Sequence, residues 1–371
     1  MPYRSLKNKR KIGFSLQVQN VNTGYGAAVL YGYSNAYVKA IESKLISKAT
    51  MQNISNASDI HSILSILINT EYKKSLEDFG GMDITTEMID FALSKNLGES
   101  INRLSDITPL LKKKIMVLYI AKWDLYNIKI SLEAKDRMQK SDTISKYLIN
   151  TNFYNSAFIR QAMEESVNVE DLLLKYTINS PYKGILQKGI EAYKKSHSVL
   201  EVNIELDKAY YESIGKMLFG LGNEEHGIYI IIRNEIEMKN ILSLLRAKKS
   251  GLSFDRIKPF LISRGFSDEN TLMSAFEASK DIDELVQQIS RFDLKPALED
   301  YKKTGNLLYF EIKMRKEIFE MSNKSLRHSV LCFGTIFEYM YQKEIEVSML
   351  RLIVKAVQYN LNRAELTAML V

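Results

Sequence analysis

Hydrophobic positions recur along most of this chain with a helical period. In the stretch 235–265, Ile236, Ile241, Leu244 and Leu245 form an apolar stripe, while Glu237 and Asn240 lie three apart and share a face. Lys248, Lys249, Ser250 and Gly251 mark the stop of that helix, and Asp255 to Leu261 begins a short further one. The same polar pair opens another apolar run at Asp124-Leu-Tyr-Asn127-Ile128, and a weaker copy stands at Glu346-Val-Ser-Met349-Leu350-Arg351. The three copies are spaced 113 and 109 residues apart.

A second landmark keeps the same period. Tyr72-Lys-Lys-Ser-Leu76, Tyr182-Lys-Gly-Ile-Leu186 and Leu294-Lys-Pro-Ala-Leu298 share an apolar-Lys-x-x-Leu pattern at spacings of 110 and 112 residues. Each follows a helical lead-in, from Asp59, Val169 and Asp281. Two landmarks recurring in one order predict a triplicated helical unit. The chain divides into a lead-in at 1–24 and units at 25–140, 141–266 and 267–371. Within them, Tyr25 to Ile46 reads as a long helix, 157–176 as one helix, 187–218 as a helical pair and Ile345–Tyr359 as the last long helix. Gly80-Gly81 and Gly220-Leu-Gly222 read as interruptions, and Glu365 through Val371 as helical or frayed.

Strand-like alternation is rare and Pro numbers only five, so the predicted fold class is all-α. With 46% hydrophobic and 26% charged residues the chain is expected to fold rather than stay disordered. No apolar run approaches the 18–20 residues a membrane span needs. The single cysteine, Cys332, sits in Val330-Leu-Cys-Phe and reads as a buried small residue, not a nucleophile.

The chemical readings lose on pattern. His61, His197, His226 and His328 are dispersed, and HExxH, Cys-x-x-Cys, Gly-x-Ser-x-Gly and dinucleotide fingerprints are missing, so no metal, cofactor or catalytic group is expected. A formal charge of +7, with acids mixed through the basic segments, lacks the concentrated positive face that nucleic acid requires. The 21 tyrosines recur at helical positions and suit packing or a protein interface, and Trp123 reads as a packing anchor. The Asp124/Asn127 and Glu237/Asn240 pairs read as groups that tie neighbouring segments by side-chain-to-backbone bonds. The residues alone thus point to a helical scaffold or adaptor built from three related parts.

The segment from Tyr31 to Leu45 sharpens this. Tyr31, Tyr33, Asn35, Ala36, Val38 and Lys44-Leu45 resemble the N-terminal signature of the C subunits of bacterial and archaeal V/A-type ATPases, related to the eukaryotic V-ATPase d subunits, with Tyr37 and Lys39 where that family often has arginines. Asn240-Ile241 with Arg246, Lys248 and Gly251 is similar to a later family segment, and Asn127-Ile128-Lys129 and Met349-Leu350-Arg351 resemble its other copies. The resemblance implies three related domains in a pseudo-three-fold funnel around a central cavity. It implies a non-catalytic rotor subunit that couples the central shaft to the membrane proteolipid ring and transmits torque during ATP-driven proton or sodium transport or ATP synthesis. The chain would sit peripherally on the cytoplasmic face of the membrane, and a free-standing adaptor with the same fold is the alternative. Tyr33, Asn35, Tyr37, Lys39, Lys44, Arg246 and Arg351 are the candidates for interface contact or its support. Tyr72, Asp124, Asn127, Tyr182, Glu237, Asn240, Leu294 and Glu346 are the candidate repeat positions.

Overall fold

A computed structural model describes residues 24–77, 85–289, 291–326 and 331–358. Residues 1–23 of the 1–24 lead-in, Gly80-Gly81, His328 and the 365–371 stretch fall outside the described residues. Those described are all-α, with no strand among them.

The first part holds α1 (Gly24–Glu42), three short helices, α2 (Lys48–Ser55), α3 (Ile60–Leu67) and α4 (Lys73–Glu77), and two long ones, α5 (Thr86–Ile107) and α6 (Lys113–Asp136). After α7 (Ser141–Ser145) the order repeats as α8 (Ser156–Glu165), α9 (Val169–Thr177), α10 (Lys183–Ser196), α11 (Val199–Leu218) and α12 (Asn223–Lys249). It repeats again after α13 (Phe254–Ile257) as α14 (Glu269–Ala278), α15 (Ile282–Gln288), α16 (Lys295–Thr304), α17 (Leu308–Ser325) and α18 (Phe333–Gln358).

The short helices start where a cap is available. Asp59, Asn168 and Asp281 accept the backbone N–H of Ser62, Asp171 and Glu284 at the starts of α3, α9 and α15. Asn155 and Asp268 do the same for α8 and α14. The 157–176 run is therefore two helices, because Asn168 takes an extended backbone and starts α9 anew. The last long helix likewise begins at Phe333, well before Ile345.

Helices α6 and α18 bury residues on all sides, as a helix inside a core must. Trp123 is buried, edge-on to Tyr119, whose ring meets Phe337 at 4.4 Å. Among the long helices, α5 packs on α18, α11 on α6 and α17 on α12, while α5 meets α6, α11 meets α12 and α17 meets α18. The contacts form a closed circuit in which the last helix returns to the first part of the chain.

Candidate functional site

The circuit is held by a recurring polar clasp. Asn127 donates to the carbonyls of Ile149 (2.6 Å) and Tyr154 (2.9 Å) and accepts the Ile149 N–H at 2.9 Å. Asn240 donates to the Ile262 carbonyl and accepts its N–H, both at 2.8 Å. One turn earlier, Asp124 accepts from the hydroxyls of Thr151 and Tyr182, the latter at 2.7 Å. Glu237 accepts the N–H groups of Phe266 (2.8 Å) and Ser267 (2.9 Å) and the Ser267 hydroxyl. Helices α6 and α12 therefore each hold the loop that follows.

The third copy closes the chain on itself. Glu346 accepts the Ile46 N–H at 2.5 Å and the Tyr72 hydroxyl at 2.6 Å, reaching back 300 and 274 residues. The fully buried Lys343 donates to Glu346 (2.8 Å), Tyr72 (2.9 Å) and Glu71. Met349 takes the position of the two asparagines and offers no amide. Buried Leu294 replaces Tyr72 and Tyr182 and offers no hydroxyl, so the backbone N–H groups bound to Glu237 replace that bond. A further clasp, unremarked in the sequence pattern, repeats at one helical end. Lys135 donates to the carbonyls of Met163 and Ser166, and Lys248 to those of Phe276 and Ser279.

Burial dominates the electrostatics here. It lifts Asp124 to about 7, against the hydroxyl bonds from Thr151 and Tyr182 that pull it down. It also pushes Tyr72 well above the usual phenol range, with the Glu346 carboxylate adding to the shift.

Two residues before each clasp acid stand Lys122, Glu235 and Glu344, at the same 113- and 109-residue spacing. Lys122 pairs with Glu344 and donates to the Tyr119 hydroxyl at 2.7 Å. Burial raises the Glu235 pKa, and the charges of Lys122 and Glu344 both act on it. Lys239, one turn on, has its pKa lowered by burial. Both keep partial solvent exposure. Counting back from each marker acid would have found this set in the sequence.

The connections before the long helices gather at one end. Ser34 of α1 donates to the Ile107 carbonyl at 2.5 Å, and Asn35 exchanges two 3.1 Å bonds with the backbone of buried Cys332. Lys112 pairs with Glu225 in the first turn of α12. Around these ties the surface is apolar: Val29, Tyr33, Leu110, Leu111, Phe219 and Leu221 are exposed, Leu110 at 88%.

The interface candidates divide by environment. Tyr33 is 67% exposed and lies 6.5 Å, ring to ring, from half-buried Tyr37; Arg103 sits over Tyr37 and reaches the Tyr33 hydroxyl at 3.4 Å. Asn35 is buried in its bonds to Cys332. Lys39 is exposed and pairs with Glu42, and exposed Lys44 lines a polar hollow with Tyr37 and Arg103. Arg246 is exposed, 3.9 Å from Glu311, far from Arg351 in sequence and role: Arg351 ties Asp90 (2.6 Å) and Ser94 (2.5 Å) of α5 to α18. No group of three or more metal-ligating side chains occurs among the described residues.

Against known families, residues 34–369 match the model of the ATP synthase (C/AC39) subunit. The chain belongs to that family. Similar curated relatives include the A-type ATP synthase C subunit of Methanosphaera stadtmanae, 24% identical over 88% of this chain and 83% of the relative. The protein of that name from Thermococcus onnurineus is 26% identical over 88% and 86%, and that from Methanocaldococcus jannaschii 22% over 92% and 86%. Members of this family are coupling parts rather than enzymes, and the chain is non-catalytic. Among the described residues no helix is long and apolar enough to cross a membrane.

Proposed function

We propose that the chain is the rotor subunit of a V/A-type ATPase that seats the central shaft on the membrane proteolipid ring. Three related helical units, 25–140, 141–266 and 267–371, would form a pseudo-three-fold funnel around a central cavity. The observation that carries this reading is the closed circuit of clasps, in which Glu346 holds the first unit as Asp124 and Glu237 hold the second and third. A part that passes torque must resist twisting. A closed circuit spreads the load over all three clasps, whereas an open stack would shear at its free end.

Two surfaces suit two partners. The half-buried charges Glu235 and Lys239 of α12 would line the central cavity, which suits an inserted shaft. The apolar end around Tyr33, Leu110 and Phe219 suits the ring, with Tyr37, Lys39 and Lys44 at its margin and Asn35 supporting it. Association through the complex on the cytoplasmic face needs no span of its own. The direct test is purification of the tagged chain from native membranes in mild detergent, with all co-purifying proteins identified by mass spectrometry. Shaft proteins and proteolipid ring recovered together support the assignment. Recovery with neither, under conditions that preserve the ATPase, defeats it in favour of an adaptor.

A further inference from the structure

The inner charges do not all find partners. Lys122 pairs with Glu344, Lys129 with Asp207 at 2.7 Å, and Arg315 with Glu311 at 2.8 Å. The side chains of Glu235 and Lys239 make no hydrogen bond or ion pair among the described residues; Lys239 has the Tyr211 ring 5.6 Å from its Nζ, and Asp207 is the charge that acts on it most. They stand four apart on α12 with the acid first, the order that favours pairing on a free helix, yet they do not close on each other. Tyr210, packed against Tyr211 at 4.8 Å, is 2% exposed and its hydroxyl has no partner. Glu235 is the charge that acts most strongly on that hydroxyl. The buried Tyr210 hydroxyl is costly, because it has given up water without a replacement, while half-buried Glu235 and Lys239 keep some solvent but no partner.

We propose that Glu235 and Lys239 form a two-point dock for a helix of an inserted partner protein that carries a basic and an acidic side chain one turn apart. The inference rests on the seating of a shaft proposed above and adds the chemistry of its contact. The dock holds one charge of each sign, so its complement is a matched pair rather than a simple anion or cation. Four residues of α-helix rise about 6 Å, so a partner pair at the same spacing meets both groups at once. A helix also satisfies its own backbone. An extended segment would arrive with its backbone N–H and C=O groups unpaired. The partner's base lies opposite Glu235, and its acid lies opposite Lys239.

The test uses the full chain and the central-shaft proteins of the same ATPase, purified separately, with affinity measured by calorimetry. Glu235→Lys and Lys239→Glu are each expected to weaken binding at least tenfold, and Glu235→Gln by less, while thermal unfolding shows each variant folded. A photoreactive benzoylphenylalanine placed at 239 supplies a readout independent of affinity. It is expected to cross-link to a helical shaft peptide bearing an acid and a base four apart. Unchanged affinity in both charge reversals, or a cross-link to a peptide without that pair, overturns the dock and leaves the rotor assignment standing. Failure of the unaltered chain to bind the shaft proteins overturns the assignment itself.

Discussion

Asn127 and Asn240 show what one amide can do in a core. Each meets both the N–H and the C=O of a single residue, Ile149 or Ile262, inside the core. Truncating Asn240 to alanine strands both backbone groups, at about 1–3 kcal/mol apiece. Asn240→Ala is therefore expected to lower unfolding stability by roughly 2–6 kcal/mol in urea; a loss below about 0.5 kcal/mol would mean that water replaces the amide. Asp124 gives a pH signature. Its carboxyl is raised from 3.8 to about 7, so the folded state holds the proton more tightly than the unfolded one. Its contribution is fully present below about pH 4 and is lost as pH rises through about 7. Asp124→Asn should flatten the fall in stability between about pH 5 and pH 8, and an unchanged slope there would remove Asp124 as its source.

At the scale of elements, helix ends are set by caps and helix pairs by close approach. Gly227, near the start of α12, illustrates a contest between local and tertiary terms. Alanine would favour the helix by about 1 kcal/mol. A Cβ there would overlap the Ser325 carbonyl oxygen, a backbone atom that cannot swing aside. Overpacking of that kind costs about 1–3 kcal/mol, so Gly227→Ala is expected to lower the melting temperature despite the better propensity. A rise in melting temperature would show that α17 can draw back without loss.

For the whole molecule the decisive feature is closure through Glu346 and Lys343. Removing the Glu346 side chain leaves the Ile46 N–H and the Tyr72 hydroxyl without their acceptor, and leaves buried Lys343 with Glu71 as its one carboxylate. Breaking a buried pair of this kind costs about 3–5 kcal/mol. Glu346→Ala is expected to speed amide hydrogen exchange across 45–77, some 270–300 residues away in sequence. If faster exchange stays within α18, the circuit is not closed in solution.

The helical class, the 113- and 109-residue period and the marker positions were legible in the sequence because they depend on local spacing of apolar and polar residues. Cap residues could be read in the same way, although the break before Asn168 was hidden by apolar residues continuing across it. What each marker binds was not legible. Nothing near Glu346 in sequence indicates that it takes Ile46 and Tyr72 rather than its own neighbours, and nothing near Asn35 indicates the Cys332 backbone. Exposed Tyr33 and buried Asn35 lie two residues apart on opposite faces of α1, and only the neighbours packed on it decide which face is covered. Likewise Lys122, Glu235 and Glu344 are ordinary charged residues along the chain. Local sequence determined that this protein is built of helices, with a marker acid on three long ones and an asparagine one turn later on two of them. Tertiary structure decided which segments those pairs join and which charges remain unmatched, because buried hydrogen bonds and desolvation depend on neighbours brought together across the whole chain.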